Sequence, residues 1–439
     1  MKKFTFKKGL HFNDHKEMTK DKPIVELPPS KIMIYPMSQH IGAPCEPTVK
    51  VGDEVKMGQV IGTSEAFVSA PIHSTVSGKV VAIEKRPHPN GTNVMSVVVE
   101  NDFQDNMVET IRKYDDVDTL TTKEKIDIIK NAGIVGLGGA TFPTHIKLNP
   151  PPDKKIDCCI INGAECEPYL TSDYRVMLEN SITVLDGLKI IMNILGVKKG
   201  YIGIENNKPD AIEIMKKQAQ NFEGIEICVL KTKYPQGSEK HLIKAVTGRE
   251  VPSGKLPADV GVVVNNIDTC TAIYNAITYR KPVFSRIVTV AGLGVKNPGN
   301  YKVRLGTSFD DVLEYAQFDS ENTVKLIMGG PMMGIAQSST NAPTIKGTSA
   351  ILAFTKDECN LEEEAPCTRC GKCVDVCPMG LMPVQINAYA KVDDMETCLK
   401  YNAMDCIECG VCSFTCPCGN HITQRIKLMK RKIAASKKK

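Results

Sequence analysis

The spacing of hydrophobic and polar residues changes as the chain runs. From about Pro28 to Glu100 they alternate in short stretches, as in Val49-Lys-Val-Gly52-Asp-Glu-Val55, Ala70-Pro71-Ile-His73-Ser74-Thr-Val76 and Asn93-Val-Met-Ser-Val-Val-Val99. Successive side chains on a strand face opposite ways, so alternation broken by glycine predicts short strands of a small β sandwich or barrel. From Lys123 to Arg280, strand-like runs (Ile156–Ile161, Gly200–Ile204, Ile225–Leu230, Gly261–Val264) alternate with helical ones, clearest at Val176–Leu195 and Pro209–Gln220. That order predicts βαβ units and a mostly parallel sheet, with a ligand site beyond the carboxyl ends of its strands. From Pro282 to Gln337 short strands return around a helix at Phe309–Tyr315, as in a β-grasp domain. Pro383–Met404 is helical in pattern, and Ile422, Ile426, Met429 and Ile433 fall on one helix face.

These changes divide the chain into an irregular leader (1–27), a β module (28–105), an α/β domain (106–281), a β-grasp domain (282–337), a domain at 338–421 and a basic tail (422–439). The expected class is multidomain α/β plus β. The net charge of +5 is too small to point to nucleic acid, and the absence of Trp argues against base-stacking platforms. The start, Met-Lys-Lys-Phe-Thr-Phe-Lys-Lys, has no apolar core of a signal peptide. No apolar run reaches the roughly 18 residues needed to span a bilayer, so any membrane contact is peripheral. The tail carries Arg425, Lys427, Lys430, Arg431, Lys432 and Lys437–Lys439. It is read either as a solvated helix or as a dock for an acidic partner or an anionic membrane surface.

Cysteine changes this picture most. Cys367-Thr-Arg-Cys370-Gly-Lys-Cys373-Val-Asp-Val-Cys377-Pro378 and Cys406-Ile-Glu-Cys409-Gly-Val-Cys412-Ser-Phe-Thr-Cys416-Pro417 share one spacing. It is the C-x2-C-x2-C-x3-C-P run that holds cubane iron–sulfur clusters, the fourth cysteine reaching across to the other cluster. Cys367, Cys370, Cys373 and Cys416 are thus expected on one [4Fe–4S] cluster, and Cys406, Cys409, Cys412 and Cys377 on the second. A disulfide framework and zinc knuckles are the competing readings. Unpaired thiols and clusters point to the reducing cytoplasm. Nine of the 17 cysteines, including Cys359, Cys398 and Cys418, stay outside the repeat. Cys158, Cys159 and Cys228 lie within strands and are read as small buried hydrophobes.

A second set of residues gathers at strand ends. Gly136-Leu137-Gly138-Gly139-Ala-Thr-Phe142-Pro143 precedes the first strong strand, with Lys147 just after it. Glycines let backbone N–H groups approach an anion closely. Asn162-Gly-Ala164-Glu165-Cys166-Glu167-Pro168, Tyr234-Pro-Gln-Gly237-Ser238-Glu239 and Asn265-Asn266-Ile-Asp-Thr269 each follow a strand. Donors and acceptors at several depths in one crevice suit a flavin.

In this order the motifs resemble the flavin-carrying, NADH-oxidising subunit of respiratory complex I. With the β module before them and the double cysteine run after them, the whole chain from Phe4 to Thr423 resembles RnfC. That family is the C subunit of the Rnf ion-translocating ferredoxin:NAD+ oxidoreductase complex. The resemblance implies a barrel-sandwich hybrid, a Rossmann-like flavin domain, an SLBB-like β-grasp domain and an α-helical ferredoxin-like domain. It implies FMN near Gly136, Gly138, Lys147, Asn162, Glu165, Tyr234, Gly237, Glu239, Asn265, Asn266 and Thr269, and NAD(H) stacked with help from Phe142. No acid–base residue is expected to be essential. Partners would be the other Rnf subunits, at the cytoplasmic face of the cell membrane. The chain departs from the complex I pattern at Leu137, Ala164 and Ser238. In biotinyl and lipoyl domains a carrier lysine stands where this β module has His73 and Ser74. A soluble cobalamin reductase of the propanediol-utilisation type shares the module order, and an electron-wire subunit with a vestigial flavin site is a further reading.

Overall fold

In the computed structural model, which describes residues 4–115, 117–359 and 363–436, the centre is a parallel four-stranded sheet. Across it the strands run Ile225–Leu230, Gly200–Glu205, Cys158–Gly163, Val262–Asn266. Every neighbouring pair is parallel. Chain order therefore departs in opposite directions from Cys158–Gly163, and the reversal falls beside Val262–Asn266. Open α/β sheets hold ligands at such a reversal, outside the carboxyl ends. Cys158, Cys159 and Cys228 are buried in these strands, as expected of small apolar side chains.

Helices Ser181–Leu195 and Ile267–Tyr279 cover one face, burying Leu185, Leu188, Ile191, Ile273 and Ile277. They approach so closely that a Cβ on Gly187 would lie 2.1 Å from Cys270 O, so only glycine fits. The single helix expected over Val176–Leu195 is two, Ser172–Glu179 and Ser181–Leu195. Asn180 at the break has φ −129° and ψ 29°, off the helical path. Asparagine's local hydrogen bonding makes it a poor helix interior residue. The helical pattern at Pro383–Met404 breaks likewise, into Pro383–Lys391 and Met395–Lys400. Asp393 between them is left-handed, with φ 62°, and Asp394 caps the second helix through Thr397 N at 2.9 Å.

The β module is two antiparallel sheets closed over Met33, Tyr35, Ile61, Ile72, Val76, Val97 and Val99. His73 and Ser74 are buried, so no exposed carrier hairpin stands there. Lys346 pins the module to the α/β domain by donating to Pro71 O at 2.8 Å and Gly133 O at 2.7 Å. Burial lowers its pKa to about 8.

The β-grasp sheet reaches beyond the span 282–337. Its order is Ile24–Glu26, Gly299–Arg304, Ser285–Ala291, Ala350–Thr355, Thr323–Met328, Ile335–Gln337. Ala350–Thr355, within the span expected to hold the clusters, is an interior strand, and its apolar side chains are buried. The leader is ordered too. Ile24–Glu26 pairs in parallel with Gly299–Arg304, and Leu10 exchanges backbone hydrogen bonds with Tyr234 at 2.8 Å each way.

The cluster domain is built from short helices and closed by helix Ile422–Ser436. Ile422, Ile426, Met429 and Ile433 are each at most 3% exposed, packed among Cys373, Leu381, Ile386, Cys398 and Cys412. The apolar stripe of the tail is thus core and is not free to enter a membrane. Lys430 and Lys432 are held by Glu408 and Asp393 at 2.6 Å. Lys437–Lys439 lie outside the described residues. We expect Ile433→Ala to lower cluster-domain stability by about 2–4 kcal/mol; unchanged thermal unfolding would mean that the helix is detached in solution.

Candidate flavin crevice and cluster cavities

The glycine loop stands over the crevice because its backbone is tied from both sides. Gly136 N donates to Phe142 O at 2.8 Å and Thr141 N to Gly136 O at 3.1 Å, closing the loop. Leu137 N donates to Thr269 Oγ1 at 3.0 Å, and Arg286 Nη2 donates to Leu137 O at 2.6 Å. Arg286, from the β-grasp sheet, is 2% exposed and paired with Asp268 at 2.5 Å. A Cβ on Gly138 would sit 3.2 Å from Asn266 Cβ. Gly139 has φ +100° and only open space on its Cβ side. At Gly139 the loop therefore presents backbone to open space with no side chain in the way.

The other strand-end residues divide into two groups. Asn162 Nδ2 donates to Gly237 O at 2.8 Å, and Lys147 Nζ spans Val264 O at 2.8 Å and Glu239 Oε1 at 3.2 Å. Asn266 donates to Asp173 Oδ2 at 2.6 Å and caps helix Ile267–Tyr279 through Asp268 N. These residues, with Asn265, Thr269, Gly136 and Gly138, share one rim. Phe142 is half-buried beside them in the closed loop. Glu165 and Tyr234 turn elsewhere. Glu165 accepts from Asp173 N at 2.7 Å and Tyr174 N at 3.3 Å, capping helix Ser172–Glu179 from a left-handed backbone (φ 46°). Tyr234 is 1% exposed; its hydroxyl donates to Glu167 Oε1 at 3.2 Å, and its ring packs on Cys409 and Val411.

Two polar side chains at the rim are buried with no partner in the protein. They are Asn265, at Nδ2, and Gln236, at both Nε2 and Oε1. A buried amide without a hydrogen bond costs about 1–3 kcal/mol, so these groups fit a polar ligand such as a flavin. Gln236 had no distinguishing signal in sequence beyond its place between Tyr234 and Gly237. Arg286, which ties the loop, comes from a separate element and carries no motif, and its partner Asp268 stands at a variable position of the Asn265–Thr269 motif.

The cysteine runs fold as two equivalent turns. Arg369 and Glu408, each two residues after the first cysteine, have φ 57° and 58°. Gly371 and Gly410 follow with φ 81° and 83°. Each turn leads into a one-turn helix, Lys372–Asp375 or Val411–Phe414. Left-handed backbone at a residue other than glycine costs about 1–2 kcal/mol, so a shared, strained wrap indicates a shared guest. Backbone N–H groups point at sulfur in both, Arg369 N to Cys367 Sγ and Glu408 N to Cys406 Sγ at 3.4 Å.

One cavity is lined by Cys367, Cys370, Cys373 and Cys416; the other by Cys377, Cys406, Cys409 and Cys412. The grouping is the crossed one expected from the spacing. Among the described residues, no three His, Cys, Asp or Glu side chains gather as a single metal ion requires. Zinc would draw four sulfurs to about 2.3 Å from one point, whereas thiols spread around a cavity suit the corners of a cubane. None of the cysteines is in a disulfide. Burial pushes the Cys409 and Cys412 thiols up to about 12, so iron must displace their protons on binding.

The cavities differ in depth. Cys367 and Cys370 are exposed, whereas Cys377, Cys409 and Cys412 are buried. The deeper cavity is also the one that meets the crevice side of the α/β domain. His241 Nε2 donates to Pro378 O at 3.2 Å, leaving Nδ1 to accept from Ser238 Oγ at 3.0 Å. Glu167 Oε2 accepts from Met332 N at 3.0 Å, and Met332 O lies against Gly410.

Comparison with known families agrees with this arrangement. The RnfC barrel sandwich hybrid domain matches residues 4–104, the Nuo51 FMN-binding domain 129–275, the SLBB domain 287–336 and the 4Fe-4S dicluster domain 366–420. The fold and its sites define a flavin and iron–sulfur oxidoreductase subunit. The C subunit of the proton-translocating ferredoxin:NAD+ oxidoreductase complex of Clostridium ljungdahlii is 51% identical over 91% of this chain and 88% of that protein. Its counterpart in the Na+-translocating complex of Acetobacterium woodii is 48% identical over 99% of this chain and 98% of that protein. The counterpart in the ion-translocating complex of Rhodobacter capsulatus is 40% identical over 92% and 78%. The chain belongs to the family of C subunits of ion-translocating ferredoxin:NAD+ oxidoreductases.

Burial pushes Glu167 up to about 7, well above the usual carboxyl value of about 4.3. The folded state thus holds this proton more tightly than the unfolded chain. Stability is fully present below about pH 4.3 and is lost as pH rises toward 7. Glu167→Gln, which keeps an acceptor for Tyr234, is expected to remove that slope, on the order of 3 kcal/mol over the window. Thermal unfolding measured against pH would show a flatter profile.

Proposed function

We propose that this chain exchanges hydride between NAD(H) and FMN and single electrons with two [4Fe–4S] clusters. It does so as the peripheral subunit, on the cytoplasmic face, of a membrane-bound, ion-translocating ferredoxin:NAD+ oxidoreductase. The observation that carries this reading is the burial of Tyr234 against Cys409 and Val411, which sets the deeper cysteine cavity against the rim of the flavin crevice. Flavin supplies the conversion between two-electron hydride chemistry and one-electron cluster chemistry.

Protein groups do the positioning. Glycine-loop N–H groups receive the FMN phosphate, and the loop keeps its shape because Thr269 and Arg286 hold Leu137. Asn265 and Gln236 supply unused donors and an acceptor to the flavin. Lys147 brings positive charge to the rim while pairing with Glu239. Phe142 offers a ring for the nicotinamide nucleotide. Cys367, Cys370, Cys373 and Cys416 hold the outer cluster, and Cys377, Cys406, Cys409 and Cys412 the inner one. Among the described residues, no helix is long and apolar enough to cross a membrane. Attachment therefore falls to the membrane subunits of the complex, since Arg425, Lys427, Lys430 and Lys432 of helix Ile422–Ser436 are already paired with carboxylates of this chain.

Anaerobically purified protein should release equimolar FMN on denaturation, and NADH should bleach its cluster absorbance. Reconstituted protein with full iron but no flavin and no bleaching would sink the catalytic reading. Gly138→Val should weaken FMN by more than about tenfold, because the added side chain meets Asn266 and fills the loop mouth. Retained flavin in that variant would place the cradle elsewhere. Cys409→Ala should halve the iron while equimolar FMN remains.

A further inference from the structure

The outer cavity has one thiol more than a cubane uses. Cys418 lines it together with Cys367, Cys370, Cys373 and Cys416. Its side chain is only 9% exposed. Its place in the turn explains why it faces inward. Cys416-Pro417-Cys418-Gly419 and Cys377-Pro378-Met379-Gly380 fold alike. Gly419 N donates to Cys416 O at 3.2 Å, and Gly380 N to Cys377 O at 3.0 Å. Gly419 and Gly380 close the turns at φ 63° and 68°. In both, the residue after Cys-Pro lines the cavity its turn encloses, and Met379 does so in the inner one. The same position thus holds a thioether beside one cluster and a thiol beside the other.

Cys418 is anchored at its carbonyl. Its carbonyl accepts from Ala365 N at 2.9 Å and Asn420 Nδ2 at 3.3 Å. Its Sγ lies 3.9 Å from Thr368 Oγ1, next to Cys367. A thiol held at a cavity with four others, two residues from one of them, needs only a local turn adjustment to reach the same corner.

We infer that Cys418 is a reserve ligand of the outer cluster, able to take the corner of Cys416. The inference rests on the two-cluster reading of the cysteine runs. In the exchange, the Cys418 thiol gives its proton to solvent and its sulfur bonds to iron. The iron–sulfur bond to Cys416 breaks, and that thiolate takes up a proton. No electron is transferred. The outer cavity is the one that gains from a spare ligand, since its Cys367 and Cys370 are exposed and oxidants in solvent reach it first.

The test compares full chains reconstituted anaerobically with iron and sulfide, using iron content and the EPR spectrum of the dithionite-reduced protein. Unsubstituted protein should carry the iron of two four-iron clusters; failure there would sink the cluster reading itself and is distinct from failure of the reserve ligand. Cys416→Ala should keep that full content, and the double substitution Cys416→Ala, Cys418→Ala should fall to half. Cys377→Ala should also fall to half, because Met379 cannot replace the lost thiolate. Equimolar FMN in every variant shows that the fold is intact. Half the iron, or a three-iron cluster, in Cys416→Ala overturns the inference. So does full iron in the double variant or in Cys377→Ala, since some other group would then be filling the empty corner.

Discussion

Beyond strand Ile225–Leu230, the chain reaches Tyr234 and sends its ring away from the crevice, into Cys409, Val411 and Phe12. A flavin crevice and a cluster cavity are useful to one another only if the gap between them is short and constant, and this contact sets that gap. Several weak ties converge to hold it. Leu10 pairs with Tyr234, and Gly9 N donates to Val376 O at 3.2 Å in the cluster domain. Lys8 reaches Val374 O at 2.9 Å. The N-terminal segment is thus a strap across two domains, and the β-grasp loop at Gly330–Gly334 closes the third side through Glu167 and Met332.

Buried charge is concentrated at these joints. Lys346 stands where the β module meets Gly133 of the α/β domain, Arg286 where the β-grasp sheet meets the glycine loop, and Lys16 where the N-terminal segment meets Glu167 O at 3.0 Å. Lys208 lies 3.7 Å from Glu205 beneath the crevice and donates to Ala164 O at 2.7 Å. Desolvating such groups offsets most of what their partners return, so they add little stability. Their directional bonds to particular carbonyls fix the angle at which one domain meets the next. The same reasoning explains the two orphaned amides at the crevice. Asn265 and Gln236 are costly without partners, and a flavin bound as proposed would remove that cost.

Much of this was legible in the sequence wherever a local rule applied. Period-two and βαβ patterns located the strands. The crossed grouping of the thiols around two cavities was expected from spacing, and the paired left-handed turns at Arg369 and Glu408 give both runs the same shape. Long-range partners were not legible. Nothing local marks Ala350–Thr355 as an interior strand of a sheet begun at Ile24, because that assignment is made by partners far away in sequence. The amphipathic tail reads as a solvated helix or as a dock for an acidic partner or an anionic membrane surface, and only the presence of Ile386 and Cys398 beside it makes its apolar stripe core. Glu165 and Tyr234 belong to the motifs, but their side chains answer to a helix end and a domain contact that the motifs do not describe.

Electrons exchanged at the crevice should reach the clusters through the inner cavity. Rapid mixing of the oxidised, fully loaded chain with NADH, freeze-quenched and followed by EPR, tests it most directly. Cys416→Ala, Cys418→Ala protein would identify the inner cluster's signal. This signal should rise first, with the outer cluster's coming after it. An outer signal that leads, or clusters that stay oxidised while NADH is consumed, would contradict that route.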